Sequence, residues 1–66
     1  MAVLKVIELL ANSDKSWEDA AQKALDKASS TVKNIKSIYI KEQSASVENG
    51  KIVSYRVNAK VTFEIA

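Results

Sequence analysis

Residues 55–65 read YRVNAKVTFEI, and this stretch decides the fold. Apolar and polar residues alternate along it without interruption, and the apolar set is Tyr55, Val57, Ala59, Val61, Phe63 and Ile65. A strand whose side chains alternate in this way buries one face and leaves the other in contact with water. The sequence therefore predicts a sheet with one covered face and one open face.

A turn signal, Glu48-Asn49-Gly50-Lys51, comes a few residues before this strand. Asn-Gly between two strand-like runs favours a two-residue type I′ turn, because both central residues need a positive φ. The preceding run, residues 37–47, is rich in β-forming residues and contains neither Gly nor Pro. We therefore expect a long hairpin in which Glu48 and Lys51 face each other.

A helix is predicted upstream of the hairpin, beginning at about Trp17 and ending between Ser30 and Asn34. Ser16 is the expected N-cap, and Asp19 three residues later approximates a capping box. Apolar side chains then recur at helical spacing, at Trp17, Ala20, Ala21, Ala24, Leu25, Ala28 and Val32. Because most of this stripe is alanine, we expect the helix to lie close against the sheet.

The first strand is predicted over Val3 to Leu10, where six of eight residues are apolar and point to both faces. The element order is then strand, helix, strand, strand, which is an α+β fold with a β-α-β-β subunit. With a right-handed crossover and the last strand in the middle, the three-stranded sheet is antiparallel throughout and wraps around the one helix. Residues 1–66 are expected to form a single domain.

Composition limits the chemistry that is open to this chain of 66 residues, which has no Cys and no His and a net charge of +2. Disulfides, common zinc sites and Cys- or His-based catalysis are excluded, so we do not expect an enzyme. A domain this small gains little stability from its own core, and self-association is therefore expected. The basic residues are dispersed among acidic ones, which argues against nucleic-acid binding.

Targeting and metal-binding signals are also missing from the sequence. No apolar run is long enough to cross a membrane, and Glu8 interrupts the first apolar stretch, so we expect a cytoplasmic protein without a membrane partner. Asp14, Glu18 and Asp19 lie near the helix start, where the helix dipole accounts for them. Their spacing matches no EF-hand loop, and no metal ligands are assigned.

Two stretches of the sequence resemble the dodecin family: KVIELLANSDKSWEDAAQKALDKA, residues 5–28, and NIKSIYIKEQSASVENGKIVSYRVNAKVTFEI, residues 34–65. The Ser-Trp-Glu-Asp-Ala helix start and the Tyr-Arg-Val motif of the last strand carry this resemblance jointly. It implies a subunit that assembles into a hollow spherical homododecamer with 23 symmetry. It also implies non-enzymatic binding of flavins such as riboflavin, FMN or lumichrome, as stacked pairs in threefold-related channels, for storage or protection from light.

The resemblance assigns three candidate ligand-binding residues, Ser37, Tyr39 and Arg56. Ser37 stands where the family has a tryptophan that stacks on the flavin ring, and Arg56 where a glutamine hydrogen-bonds the ring edge. Serine has no π face and arginine cannot accept a hydrogen bond, so both departures weaken the expected flavin contacts.

Tyr39 shares a face with Ser37 in a regular strand. Its ring either replaces part of the lost aromatic surface or packs at a subunit contact. The alternative to a flavin-binding protein is a structural or interaction shell that does not bind flavin. Such a shell would hold an ion such as calcium, another metabolite or nothing specific.

Overall fold

The structure of the protein is a computed structural model that describes residues 3–65. Its elements are β1 (Val3–Ser13), α1 (Trp17–Ser29), β2 (Ile35–Glu48) and β3 (Lys51–Ile65). The strands form one sheet in the order β1-β3-β2, and both neighbouring pairs are antiparallel. The predicted β-α-β-β fold, with the last strand in the middle, is confirmed.

One face of the sheet, the helix face, packs against α1 and holds the core. The side chains that meet there are small, and the buried apolar ones are Ala20, Ala24, Ala28, Val57, Ala59 and Val61. Alanines at helical spacing allow α1 to lie close to β3, as the sequence predicts. The apolar side of residues 55–65 is buried at its centre, whereas Ile65 at its end remains 46% exposed.

β2 and β3 form the predicted hairpin, and Glu48 pairs with Lys51 across it. The turn residues Asn49 and Gly50 have φ values of 52° and 75°, as a type I′ turn requires. The pairing shifts by one residue at three places along the hairpin. The extra residues at these shifts are Lys36 and Lys41 in β2 and Val53 in β3.

β1 is longer than predicted, because β3 is long enough to pair with residues 11–13 as well. The strand therefore ends at Ser13 and not at Leu10. Its apolar side chains point to both faces, as expected: Ile7 pairs with the buried Val61, while Val6 lies on the opposite face.

α1 begins at Trp17, as predicted, and Ser16 is its N-cap with an extended backbone. The Oγ of Ser16 accepts a hydrogen bond from the backbone N–H of Asp19 at 2.9 Å. The second half of the expected capping box is replaced, since the Asp19 carboxylate accepts from the Oγ of Ser13 at 2.5 Å. The buried Ser13 also accepts from the backbone N–H of Lys15, which ties the loop between β1 and α1 to the helix start.

The predicted end of the helix is wrong by at least one residue. α1 ends at Ser29, and the Oγ of Ser30 donates to the carbonyl oxygen of Lys27 at 2.6 Å. This side-chain bond competes with further helical hydrogen bonding. Val32, which the helical stripe included, lies outside the helix.

The β2–β3 hairpin extends past the end of β1 as a two-stranded arm, residues 46–54. Val47, Ile52 and Val53 of this arm are exposed. The described chain measures 51 × 19 × 13 Å, which reflects this extension. α1 falls short of the length and apolarity needed to cross a membrane, and residues 3–65 contain no other helix.

Candidate ligand site on the outer face

The candidate residues lie on the face of the sheet that points away from α1, which we name the outer face. Its members are Leu4, Val6, Glu8, Leu10 and Asn12 of β1, Ser37, Tyr39, Glu42 and Ser44 of β2, and Arg56, Asn58, Lys60, Thr62 and Glu64 of β3. Because α1 packs on the helix face, no element within residues 3–65 covers this surface. Polar and apolar side chains are mixed on it.

Ser37 and Tyr39 lie together near the start of β2. Ser37 pairs with Thr62 and Tyr39 with Lys60 of β3. The side chain of Tyr39 is 63% exposed, so an aromatic surface is open to a ligand or to another subunit. Beside Ser37, a depression of about 410 Å³ opens between β2 and the second half of α1, lined by Leu25, Ser29, Ile35, Lys36, Ser37 and Ile38.

Arg56 lies farther along β3, in a second pocket of about 300 Å³. Its Nε donates a hydrogen bond to Oδ1 of Asn12 at 3.1 Å, which fixes the guanidinium against β1. Within residues 3–65 no carboxylate forms an ion pair with it. The lining residues of this pocket are Leu10, Glu42, Gln43, Ser44, Arg56 and Asn58.

Asn58 lies in this pocket between Leu10 of β1 and Glu42 of β2. Its Oδ1 is buried and has no hydrogen-bond partner. Leu10 is 70% exposed and forms an apolar wall beside it. Sequence reasoning did not single out these three residues, because the register shift that brings Glu42 opposite Asn58 has no signal in the sequence.

The three predicted site residues share the outer face but do not form one site within a single chain. Arg56 and Thr62, the partner of Ser37, are six residues apart along β3, which corresponds to about 20 Å. Tyr39 is opposite Lys60, about 13 Å from Arg56 along the strand. A flat ring that touches both Ser37 and Arg56 therefore requires more than one subunit.

Two ion pairs cross the sheet on or beside the outer face. The Nζ of Lys36 is 3.5 Å from Oε1 of Glu64, and the Nζ of Lys41 is 3.7 Å from Oε2 of Glu8. All four side chains are substantially exposed, so each pair contributes less than about 1 kcal/mol to stability. The pairs orient these side chains more than they stabilise the fold.

The acidic side chains near the helix start have structural partners. Asp19 accepts the hydrogen bond from Ser13 and lies 3.5 Å from the Nζ of Lys23. The Ser13 hydrogen bond, followed by the charge of Lys23, holds the pKa of the Asp19 carboxyl below its ordinary value despite partial burial. Across residues 3–65, no group of three or more acidic side chains is arranged to hold a metal ion.

The single tryptophan of the chain lies close to the Arg56 pocket. The Nε1 of Trp17 donates to the backbone oxygen of Ser44 at 2.9 Å. The ring of Trp17 meets the ring of Tyr55 edge-on, with centroids 4.8 Å apart. Since Ser44 lines the pocket and Tyr55 directly precedes Arg56, Trp17 packs behind the pocket on the helix face.

The sequence is similar to that of known proteins over nearly its whole length. Residues 3–66 match the family model described as Dodecin. Calcium dodecin of Mycobacterium tuberculosis is 34% identical over 65 residues, which cover 98% of this chain and 92% of that protein. The chain therefore belongs to the dodecin family.

Solved structures agree with this assignment. A mutant form of Thermus thermophilus dodecin superposes with a TM-score of 0.94 at 27% identity, over 100% of this chain and 98% of that one. The crystal structure of the M. tuberculosis calcium dodecin, described as calcium chelating, has a TM-score of 0.83 at 37% identity and covers 97% and 91% of the two chains. The chain is a dodecin-type small-ligand-binding protein.

Proposed function

We propose that the protein is a non-enzymatic, cytoplasmic dodecin-like shell, a hollow homododecamer that binds or stores a small flat ligand. The ligand is a flavin, such as riboflavin, FMN or lumichrome. The protein's partners are other copies of itself and this ligand, and they include neither nucleic acid nor a membrane. The observation that carries the proposal is the open apolar surface. Leu10 is 70% exposed and Val3 is 63% exposed, whereas the largest fully buried side chains are the valines Val57 and Val61.

Exposed apolar side chains favour self-association, because burying each one stabilises a contact by about 1.5–3 kcal/mol. They lie along β1, at Tyr39 near the start of β2, and on the arm of residues 46–54. Those with more than half of their surface exposed are Val3, Leu4, Val6, Leu10, Tyr39, Val47 and Ile52. A two-stranded hairpin such as this arm is only marginally stable alone in water, which supports its burial against another subunit.

The outer face also supports binding of a flat ring. Tyr39 offers an exposed aromatic surface for stacking, and Arg56 offers hydrogen-bond donors that pair with no carboxylate of residues 3–65. Since these groups are about 13 Å apart in one chain, the ligand lies between Tyr39 of one subunit and Arg56 of another. Ser37 lies beside Tyr39 and leaves room where a larger side chain would stand.

Replacing Ser37 and Arg56 by the tryptophan and glutamine of the family pattern tests this site. The double variant Ser37→Trp with Arg56→Gln adds a stacking ring, which is worth about 1–3 kcal/mol, so riboflavin and FMN are expected to bind at least about fivefold more tightly. Fluorescence titration measures both affinities. Gln22→Trp, which adds a tryptophan to the exposed side of α1, serves as the control and should leave the affinity unchanged.

The titration has two outcomes that contradict the proposal. Absence of quenching by the wild-type protein at micromolar flavin rules out the flavin ligand. An unchanged affinity in the double variant shows that Ser37 and Arg56 do not contact the ring.

Calcium is a second candidate ligand, supported by the 34% identity to a protein named calcium dodecin. A calcium ion prefers six to eight oxygen ligands. Because residues 3–65 of one chain bring no three acidic groups together for a metal ion, such a site needs carboxylates from several subunits. In this alternative, the protein is a shell that binds a calcium ion and does not bind flavin.

Elemental analysis of the purified protein, followed by titration with Ca²⁺, separates this candidate from the first. Retained calcium, and binding of Ca²⁺ in preference to Mg²⁺ in a colourless sample, supports the calcium shell. A yellow sample loaded with flavin excludes it.

A further inference from the structure

The turn at the tip of the arm, Asn49-Gly50, joins an amide side chain to a residue that has no side chain. Both residues are exposed and lie between β2 and β3. A Cβ added at Gly50 would meet no atom within 4 Å, so the side of Gly50 where a side chain would lie is open. The Asn49 amide and the backbone of Gly50 are therefore both accessible to water.

The pairing that holds this turn is short. Between the turn and the extra residue Val53, the arm is closed by two pairs of residues, Val47 with Ile52 and Glu48 with Lys51. β1 pairs with β3 only beyond the arm, so within residues 3–65 each strand of the arm has one neighbour. A bulge disrupts the ladder locally, and short, exposed pairings open at a low cost in free energy. The turn therefore leaves its type I′ conformation more readily than the centre of the sheet opens.

We propose that Asn49 is a site of spontaneous deamidation. When the turn opens, the backbone nitrogen of Gly50 attacks Cγ of Asn49, and the new N–Cγ bond closes a succinimide ring. The Cγ–Nδ2 bond breaks, and the side-chain nitrogen leaves as ammonia with the proton of the attacking nitrogen. Water then opens the ring, giving aspartate by attack at Cγ or isoaspartate by attack at the backbone carbonyl carbon of Asn49. Water is the only reactant that the protein does not supply.

The other asparagines of the chain lack this combination of features. Asn34 is exposed and has a positive φ like Asn49, but the attacking nitrogen would belong to Ile35, whose β-branched side chain crowds the approach. Asn12 and Asn58 lie within paired strands, where the ladder must break before the backbone can turn toward the side chain. The four asparagines therefore provide internal controls for one another.

Isoaspartate at position 49 would change the shape of the arm as well as its charge. It adds a carbon atom to the backbone of a two-residue turn, so the turn no longer brings Glu48 opposite Lys51. The exposed side chains of Val47 and Ile52 form the next pair, and in the proposed function the arm packs against another subunit. Deamidation is therefore expected to weaken assembly as the protein ages. This consequence rests on the proposed function, whereas the chemical step does not.

Peptide mapping by mass spectrometry tests the chemical step on the intact protein, aged at mildly alkaline pH in water enriched in heavy oxygen. Asn49 is expected to deamidate at least about tenfold faster than Asn34, because the nitrogen of Gly50 is not crowded by a β-branched side chain. The products should be both aspartate and isoaspartate, each with a heavy oxygen atom from water. Equal rates at the two asparagines, or aspartate without isoaspartate, would overturn the proposal.

Sedimentation of the same aged samples tests the effect on assembly. Asn49→Gly keeps the positive φ of the turn but has no amide, so its assembly should not change while the wild-type assembly declines as isoaspartate forms. Asn34→Gly is the matched control and should age like the wild-type protein. If converted wild-type protein stays fully assembled, the predicted effect of isoaspartate on assembly is wrong. If the fresh protein is already monomeric, the proposed function fails, and the peptide map still decides whether Asn49 is the modified residue.

Discussion

The two faces of the sheet are built from opposite kinds of side chain. On the helix face, Ala24 and Ala28 meet Val57 and Val61, and none of these residues is more than 3% exposed. On the outer face, large side chains remain open, and Leu10 is 70% exposed. The small buried side chains form the core of the subunit. The larger apolar side chains stay exposed and are available for contacts with other molecules.

The difference between the faces arises because alternate side chains of β3 have different roles, one set in the core and the other in an open pocket. Along β3, Val57, Ala59 and Val61 are buried against α1, while Arg56 and Asn58 line an open pocket. Substitutions on the helix face should therefore change the stability of the subunit. Substitutions on the outer face should change assembly or binding and leave the subunit fold intact.

The largest expected loss of stability comes from enlarging a helix-face alanine. Ala24→Leu forces extra volume into the contact between α1 and β3, where overpacking is expected to cost about 3 kcal/mol. Chemical denaturation measures the change. Gln22→Leu, on the exposed side of the same helix, should stay within about 0.5 kcal/mol of wild type. Equal effects of the two variants would mean that the helix face is not closely packed.

A charge on the outer face should act on assembly instead. Val6→Asp places a carboxylate among the exposed side chains of β1 and is expected to weaken each subunit contact by about 2 kcal/mol. Sedimentation should show smaller species, while circular dichroism retains the helix and strand signals. Lys33→Asp, in the exposed connector after α1, is the matched control. An unchanged assembly in Val6→Asp would show that β1 does not contact other subunits.

Losing the hydrogen bond between Trp17 of α1 and β2 should lower the stability of the subunit by a smaller amount. Trp17→Phe removes the hydrogen bond to the backbone oxygen of Ser44, with an expected loss of about 1 kcal/mol. Tyr55→Phe keeps the ring that Trp17 meets edge-on and should cost less than about 0.5 kcal/mol. Thermal or chemical unfolding distinguishes the two, and equal losses would contradict the role of the indole hydrogen bond.

The smallest expected effect is a dependence of stability on acid pH. The folded chain lowers the pKa of Asp19 below its ordinary value of 3.8, so the contact with Ser13 stabilises the fold above that pH. This stability is lost as pH falls through the lowered pKa, because the protonated carboxyl is a weaker acceptor. Asp19→Asn should reduce the change in unfolding midpoint below pH 4, and Asp26→Asn should keep it. A wild-type slope in Asp19→Asn would contradict this assignment.

The element order and the hairpin could be predicted because they depend on local patterns. Strict alternation in residues 55–65 defined the central strand, and Asn49-Gly50 defined the turn. The alanine stripe predicted the close approach of α1. The bond from Ser13 to Asp19 could not be predicted, because it depends on how the end of β1 meets the helix start.

The Arg56 pocket could not be predicted because two register shifts determine it. An uninterrupted hairpin counted from Glu48 and Lys51 would place Tyr39 opposite Lys60, as observed. Between these points the extra residues Val53 and Lys41 displace the pairing by one position and then restore it. The displaced segment is the one that carries Glu42 and Ser44 to the outer face. Neither bulge is marked by Gly or by any other sequence signal.

Native mass spectrometry of the purified protein, with and without added riboflavin, tests most directly the claim that the outer face assembles subunits and binds a flat ligand. We predict one species at twelve times the subunit mass of 7.2 kDa, with a further increase in mass from bound riboflavin. A stable folded monomer, or a shell whose mass does not change with riboflavin, would contradict the account.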